Sequence, residues 1–483
     1  MSEPWPTPAP RATTPWRGEP GTVGTVAVVG AGKIGLPLAA QYAGAGWHVI
    51  AVDVVPAVVE TLNAGGIHFD EEPGLAERIA TAHAAGRFEA TLSHAEAARR
   101  ADVVVMIVPL MLGEEQEPDY RMIDPASAAV APGLHPGSLV IYETTLPVGD
   151  TRRRFLPLLS EGSGLPEGDP EQGFLLAFSP ERVYSGRIFA DLATYPKLVG
   201  GIDDPSAERA LAFYRSVLPA EVWRLSSAEA AEFAKLAETT YRDVNIALAT
   251  EFARYAERMG VDVGEVIRGA NSQPFSHIHE PGIGVGGHCI PVYPHFLISR
   301  SPELQIPALA RRVNDGQVGL AVAELQGELG SLEGTPVLVL GLTYRAGVKE
   351  MAYSRAIPLI ERLKLHGAEV WAYDPLLEPA EVERLGARAW VWGEALAVRA
   401  IVTQTGDPHF ADLDPAWFDG LRVVYDGRAA VRSVAWPAGA RYLGVGLPNG
   451  RQPGGTNGHG NGHGNGGQQA ETVEVAAGAS SPR

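Results

Sequence analysis

Cys289 is the only cysteine in 483 residues, and it stands in "GVGGHCIPV" among glycines, a histidine and a proline. A lone thiol is either a small buried hydrophobe or a nucleophile on a loop whose glycines let a substrate approach the backbone. The second reading needs partners elsewhere in the chain. Lys235 is one candidate: it lies in a helical stretch with Thr239 at i+4 and Arg242 at i+7 on its own face. A cation there depresses a thiol's pKa or stabilises an alkoxide, although the same spacing equally describes a solvated helix face. Two strand ends offer more. "FSPERVYSG" carries Glu181 and Arg182, and "YETTLPVGDT" carries Thr144 and Thr145. Ligands of open α/β sheets bind at the carboxyl ends of strands, so these loops can share one crevice.

A second chemical signal lies near the start. "TVAVVGAGKIGLPLAAQYAGAGWHVIAVD" places Gly30, Gly32 and Gly35 as G-x-G-x-x-G directly after a strand and before a helix. A second strand then ends in Asp53. This is the dinucleotide-binding context: a tight turn, close approach of a pyrophosphate, close helix–strand packing, and free N–H groups at the helix start. Asp53 would accept hydrogen bonds from ribose hydroxyls and repel a 2′-phosphate, which favours NAD over NADP.

Stepping from these residues to the elements that carry them, "TVAVVG", "WHVIAVD", "ADVVVMIVP", "SLVIYET" and "FLLAFSP" are short apolar runs bounded by turn residues and separated by helical stretches. That pattern predicts a parallel sheet covered on both faces. From Ser226 to Met259 there is no Gly or Pro, and Ser226 with Glu229 reads as a capping box. Phe233, Leu236, Thr240, Val244, Leu248, Phe252 and Tyr255 recur at helical spacing, predicting one long helix whose stripe suits a domain connector or dimer interface. Strands "PVLVLGL", "AEVWAYD", "RAIVTQT" and "RVVYDG" then announce a second α/β region. The predicted fold class is α/β: two Rossmann-like doubly wound domains flanking a central helical domain with one long helix. The expected divisions are a tail at 1–23, an NAD-binding domain at 24–222, a helical domain at 223–330, a second Rossmann-like domain at 331–450, and a Gly/Asn/His-rich tail at 451–483.

The chain carries 39 basic and 57 acidic residues, a formal charge of −18. Such a surface repels nucleic acid and anionic lipid, and neither is expected as a partner. "ADVVVMIVPLML" is too short to span a bilayer, no signal peptide is evident, and one cysteine fits a reducing cytosol. A cytoplasmic protein is expected. His459 and His463 in the tail lack further ligands, and no metal site is expected.

Taken in order, G-x-G-x-x-G, "TTLPVG", "SPERV", "KLAETTYRDVNIA", "GVGGHCIP" and "GLTYR" resemble the nucleotide-sugar 6-dehydrogenases, the UDP-glucose/GDP-mannose dehydrogenase family, over residues 24–448. "SPERV", "YRDVNIA" and "GVGGHCIPV" look closer to the UDP-N-acetylmannosamine and UDP-N-acetylglucosamine branch than to the UDP-glucose branch. The resemblance implies four-electron oxidation of a UDP-sugar at C6 with two NAD, for a surface polysaccharide or similar glycan. It implies Cys289 as nucleophile, Lys235 as oxyanion partner, Glu181 on the hydrolytic water, Thr145 near nicotinamide and substrate hydroxyl, and Thr239 as a further donor. It implies cofactor contacts at Gly30, Gly32, Lys33, Ile34, Gly35, Asp53, Pro109 and Thr145. Substrate contacts are implied at Glu181, Arg182, Val183, Lys235, Arg242, Asn245, Gly286, Gly287, His288, Arg311, Tyr344 and Arg345. A homodimer through the long helix is also implied.

The chain departs from that family at four positions. Thr239 replaces an Asn, Tyr293 an Asp with a proton-transfer role, Ala352 an Arg in the UDP-binding loop, and Thr250 an Asn. A lost general base costs about 10²–10⁴ in rate and a lost oxyanion donor about 10²–10³. The expectation is that Glu181, with Tyr293 or His288, takes over the proton transfer. Three other readings compete: a UDP-glucose 6-dehydrogenase, a β-hydroxyacid dehydrogenase that leaves Cys289 and the third domain idle, and a sugar-nucleotide binder without turnover. A short-chain epimerase is excluded because no Tyr-x-x-x-Lys occurs.

Overall fold

The computed structural model describes Trp16 and residues 18–448. Most of both expected tails, with His459 and His463, lies outside the described residues. The part of the N-terminal tail that is described is tied down: Trp16 is buried, edge-on to Trp47 at 4.8 Å, and its N–H donates to Asp102 at 2.9 Å.

The first sheet has eight strands: β1 (Thr25–Val29), β2 (His48–Val52), β3 (Phe88–Thr91), β4 (Val103–Met106), β5 (Leu139–Tyr142), β6 (Leu175–Phe178), β7 (Lys197–Gly201) and β8 (Val222–Arg224). Their spatial order is β8-β7-β6-β5-β4-β1-β2-β3. Strands β1 to β6 thus run 3-2-1-4-5-6 and all parallel, the doubly wound dinucleotide-binding order. Strand β7 pairs with β6 antiparallel, so its first residue, Lys197, lies at the edge where β5 and β6 end. Four of these strands are buried along their whole length, because helices cover both faces. Helices α1 (Gly35–Gly44) and α2 (Asp204–Val217) lie on one of those faces.

The long helix, α3 (Ala228–Met259), starts on Ser227, whose hydroxyl accepts from the Ala230 N–H at 3.2 Å. The cap is one residue later than the Ser226 box predicted. Gly260 in the left-handed region ends the helix. A short helix, α4 (Tyr293–Ile298), and a second long one, α5 (Gln305–Leu329), pack against α3.

The burial of α3 inverts the usual pattern. Its inner face is small or polar: Ala231, Lys235, Thr239, Asp243, Ala247, Thr250 and Ala253. Leu236 is buried with them, but most of the large apolar stripe points outward, with Phe233 52 % exposed, Leu248 44 % and Tyr255 57 %. Small residues let α5 approach closely, and Arg311 and Asn314 of α5 both donate to Asp243, at 2.6 and 2.7 Å.

The second sheet repeats the first. Strands β9 (Pro336–Leu340), β10 (Glu369–Tyr373), β11 (Arg388–Ala389), β12 (Ala400–Thr403), β13 (Val423–Asp426) and β14 (Arg441–Gly444) stand in the order β11-β10-β9-β12-β13-β14, all parallel. The two Rossmann-like domains about a helical centre are therefore present as expected.

Candidate active site

The cofactor loop follows β1, where the strand order reverses between β1 and β4. Gly30 has φ +102°, which a side chain adopts only under strain. A Cβ on Gly35 would stand 1.8 Å from the Gly30 carbonyl, so α1 can start here only on glycine. A Cβ on Gly32 would meet nothing within 4 Å, which leaves room over this loop for a phosphate. Asp53, at the end of β2, accepts from the N–H of Ala31 at 3.2 Å and of Val55 at 3.0 Å, and stays partly accessible. Ile34 precedes α1, and exposed Pro109 follows β4 on the same rim. These residues fit an NAD pyrophosphate and ribose. In the second sheet the residue equivalent to Asp53, Asp374, is buried and accepts from Leu342 and Thr343, so it holds the "GLTYR" loop and offers no ribose contact.

The thiol loop lies between the two sheets. Gly287 has φ +93°, and a Cβ there would press on the Tyr344 ring at 3.0 Å. Gly286 similarly backs onto Tyr344 and Tyr353. The glycines thus seat the loop against the third domain. His288 is exposed and stands 3.7 Å from Glu350, whose other ion-pair partner, Lys33 of the cofactor loop, is 3.3 Å away. The nearby His288, helped by the Ala352 N–H and by Lys33, holds the Glu350 carboxyl down at about 2 against the opposing effect of burial. One carboxylate therefore links the cofactor loop, the thiol loop and the third domain.

Cys289 is half-buried. Its carbonyl accepts from the Tyr293 N–H at 2.9 Å, the first turn leading into α4. Cys289 and Thr145 are neighbours of the Tyr293 phenol. Lys235 points at the same ring, with its ammonium 6.0 Å from the centroid, and is only 7 % exposed. Lys235 therefore belongs to the buried face of α3, and the solvated-face reading does not apply. Burial and the neighbouring sulfur hold the Tyr293 phenol far above the ordinary tyrosine range, against a smaller pull from Thr145.

Two expected residues stand elsewhere than anticipated, and a third is tied to a buried lysine. The Thr239 hydroxyl is buried and donates back to the carbonyls of Lys235 and Leu236, at 3.0 and 3.2 Å. Its hydroxyl proton is engaged by its own helix. Arg311, expected on the nucleotide sugar, is a buried staple between Asp243 and Asp315. Glu181 faces Lys197 at 2.8 Å and accepts from the Arg182 N–H at 2.6 Å. Lys197 also meets Glu143 at 2.8 Å, and Tyr42 and Tyr214 donate to the same Glu143 at 2.9 and 2.5 Å. Burial pushes Glu143 up to about 7 despite Lys197, whereas Lys197 and its hydrogen bonds overcome burial at Glu181 and bring it below the ordinary range.

The remaining expected residues converge on one rim. Arg182 pairs with Glu238 at 2.9 Å, next to Val183. Arg242 donates to the Tyr184 hydroxyl at 2.6 Å, and Arg345 lies 5.9 Å over that ring. Asn245 holds the following loop through the His277 carbonyl and the His279 N–H, at 2.7 and 2.9 Å. Arg428 was not anticipated. It follows β13, donates to the Gly284 carbonyl at 2.8 Å, and clamps the thiol loop from the third domain. Its position at a strand's carboxyl end was the available signal.

Residues 24–218 match the NAD binding domain of the UDP-glucose/GDP-mannose dehydrogenase family, 229–315 its central domain and 338–433 its UDP binding domain. The chain belongs to this family. It is an NAD-dependent nucleotide-sugar dehydrogenase. A UDP-N-acetyl-D-mannosamine dehydrogenase of Pyrococcus horikoshii is 33 % identical over 432 residues, covering 87 % of this chain and 99 % of that one. The namesake from Escherichia coli K12 is 34 % identical over 364 residues, 73 % of this chain and 85 % of its own. The solved P. horikoshii structure superposes with a TM-score of 0.78 at 32 % identity, over 87 % of this chain and 99 % of that one. A UDP-glucose dehydrogenase structure from Pyrobaculum islandicum gives 0.78 at 27 % identity, over 89 % and 99 %. No helix among the described residues is long and apolar enough to cross a membrane.

Three outcomes follow from this geometry. Gly32→Ala leaves thermal stability unchanged but weakens NAD binding in calorimetry, whereas Gly35→Ala lowers the melting temperature itself. Lys197→Met strands two buried carboxylates and costs roughly 3–5 kcal/mol in urea unfolding. Glu143 binds its proton more tightly folded than unfolded, so the stability it contributes is present below the ordinary carboxylate range and is lost as pH rises through about 7. Glu143→Gln flattens that slope of stability against pH.

Proposed function

We propose that this dehydrogenase oxidises the C6 alcohol of UDP-N-acetylmannosamine to the uronic acid through an adduct on Cys289. The observation that carries the reading is the convergence of Cys289, Tyr293, Thr145 and Lys235 at the junction of the cofactor loop and the third domain. Likeness to the mannosamine dehydrogenases at 33–34 % identity supports the substrate. Fold alone does not choose between sugars, because the Pyrobaculum UDP-glucose enzyme superposes equally well. UDP-glucose is therefore the second reading.

The alcohol and one water give the carboxylate, two hydrides and three protons, and NAD held by the cofactor loop would accept each hydride in turn. Cys289 as thiolate adds to the aldehyde and keeps it from escaping. The C–S bond forms, and the carbonyl pair moves onto oxygen beside Lys235. After the second hydride has left, Cys289 holds a thioester, and water attack breaks C–S and returns the thiolate. Lys235 in its dry position stabilises the oxyanion. Glu181 stands at the same strand edge and, through Lys197, is kept ionised for work on the attacking water. Arg182, Arg242 and Arg345 on the rim receive the diphosphate against the chain's negative field. We further propose a cytoplasmic homodimer, supported by the outward aromatic stripe of α3, an apolar surface that a partner's α3 would cover.

NADH formation followed with UDP-N-acetylmannosamine, UDP-N-acetylglucosamine and UDP-glucose tests the reading. Two NADH per UDP-N-acetylmannosamine, abolished in Cys289→Ser, is the expected result. Turnover of UDP-glucose alone overturns the substrate, and full turnover by Cys289→Ser overturns the nucleophile.

A further inference from the structure

We propose that Glu350 is a positioning residue of this enzyme: its one carboxylate, shared by Lys33 of the cofactor loop and His288 of the thiol loop, holds the two loops at a fixed spacing, so that the cofactor and Cys289 meet the same carbon of the sugar. The proposal deepens the reading above and rests on Cys289 as its nucleophile.

Three parts of the chain meet at this carboxylate. Lys33 belongs to the turn between β1 and α1, and its ammonium stands 3.3 Å from Glu350 Oε2 and 3.0 Å from Glu71, on the connection that leads to β3. Glu350 lies in the third domain, on the loop that follows β9. Its other oxygen accepts from the Ala352 N–H at 3.0 Å, which fixes the carboxylate to its own loop. The same Oε2 that meets Lys33 is 3.7 Å from Nε2 of His288, the residue directly before Cys289. A second route runs through the main chain. The Glu350 carbonyl accepts from the Tyr344 N–H at 3.0 Å, and the Tyr344 ring is the wall against which Gly286 and Gly287 lie. Tyr353, held at φ +54°, stands edge-on to the His288 ring with centroids 5.7 Å apart. Glu350 is thus joined to the thiol loop by side chain and by backbone, whatever the charge on His288.

The bridge acts on position more than on stability. The Lys33 and His288 side chains are 42 % and 46 % exposed, and ion pairs so open to water add little to the stability of a fold. Their effect on the reaction is of another size, because a misplacement of about 1 Å between reacting groups costs about 10²-fold in rate. Among the described residues, Lys33–Glu350 is the one ion pair that joins the first domain to the third. It is made at the turn where the cofactor pyrophosphate is expected and on the loop that seats the thiol. An ammonium has three N–H donors, so Lys33 can keep Glu71 and Glu350 while offering the third to a cofactor phosphate. Loading the cofactor loop therefore does not require the bridge to break.

An effect at a distance follows. Among the described residues no ion pair or hydrogen bond joins Lys33 to the thiol loop, so its influence there passes through Glu350. Hydrogen–deuterium exchange of peptides covering residues 284–293 is measured in the full-length chain, without sugar or NAD, for wild type, Lys33→Met, Glu350→Gln and the double variant. Each single variant is expected to speed exchange there about threefold, and the double variant no more than either. Melting temperatures are expected to stay within about 2 °C of wild type. Unchanged exchange in Lys33→Met overturns the proposal. So does a double variant in which the two effects multiply, because independent losses add in free energy. With UDP-N-acetylmannosamine and saturating NAD, kcat is expected to fall about tenfold in each single variant and no further in the double, while KM for the sugar changes less than about threefold. Full kcat in Glu350→Gln overturns the positioning role. Should no UDP-sugar be turned over, the substrate reading fails by itself, and the exchange experiment, which uses neither sugar nor NAD, still decides this one.

Discussion

The ammonium of Lys197, shared by two carboxylates inside the first sheet, is the interaction on which the catalytic edge depends. Glu143 follows β5, Glu181 follows β6, and Lys197 begins β7. The three meet because β7 runs antiparallel to β6, so its start lies beside their ends. Removing two carboxylates and an ammonium from water is costly, and the site offsets this with hydrogen bonds from Tyr42 on α1 and Tyr214 on α2. The result locks the helices, three strand ends and the loops after them into one unit. Thr145 is two residues beyond Glu143, and Arg182 follows Glu181 directly. Their positions are consequences of that lock.

Against this fixed edge stand the thiol loop and the third domain. The thiol loop carries little structure of its own. It is seated by Tyr344 behind Gly287, by Arg428 on the Gly284 carbonyl, and by Glu350 reaching from the third domain to His288 and Lys33. The nucleophile is therefore positioned by contacts from all three parts of the chain. Helix α3 lies between the two sheets and holds Lys235 on its small, buried face.

Much of this was legible in the residues. The strands β1, β2, β4, β5 and β6, and β9, β10, β12 and β13, fall where apolar runs between turn residues placed them. The glycine loop with Asp53 is local chemistry, since each glycine answers to a neighbour within a few positions. Strands β3, β7, β8, β11 and β14 were not anticipated. Short or edge strands such as β8 and β11 bury little, so they leave no apolar run. Helix α3 was legible as a helix, but not which face it buries. Periodicity says only that one side is apolar, and here close approach to α5 selected the small side.

The site residues divide in the same way. Sequence alone determined the two Rossmann-like halves, the cofactor loop and the singular thiol, because strand periodicity, glycine sterics and residue chemistry act over short spans. The tertiary structure decided which side chains are free to act. It turned Thr239 onto its own helix, drew Arg311 into a buried pair with Asp243, and set the Tyr293 ring beside Lys235. A hydroxyl has one proton and a buried charge must find its counter-charge. Which partner each takes depends on residues tens or hundreds of positions away, brought close only by folding.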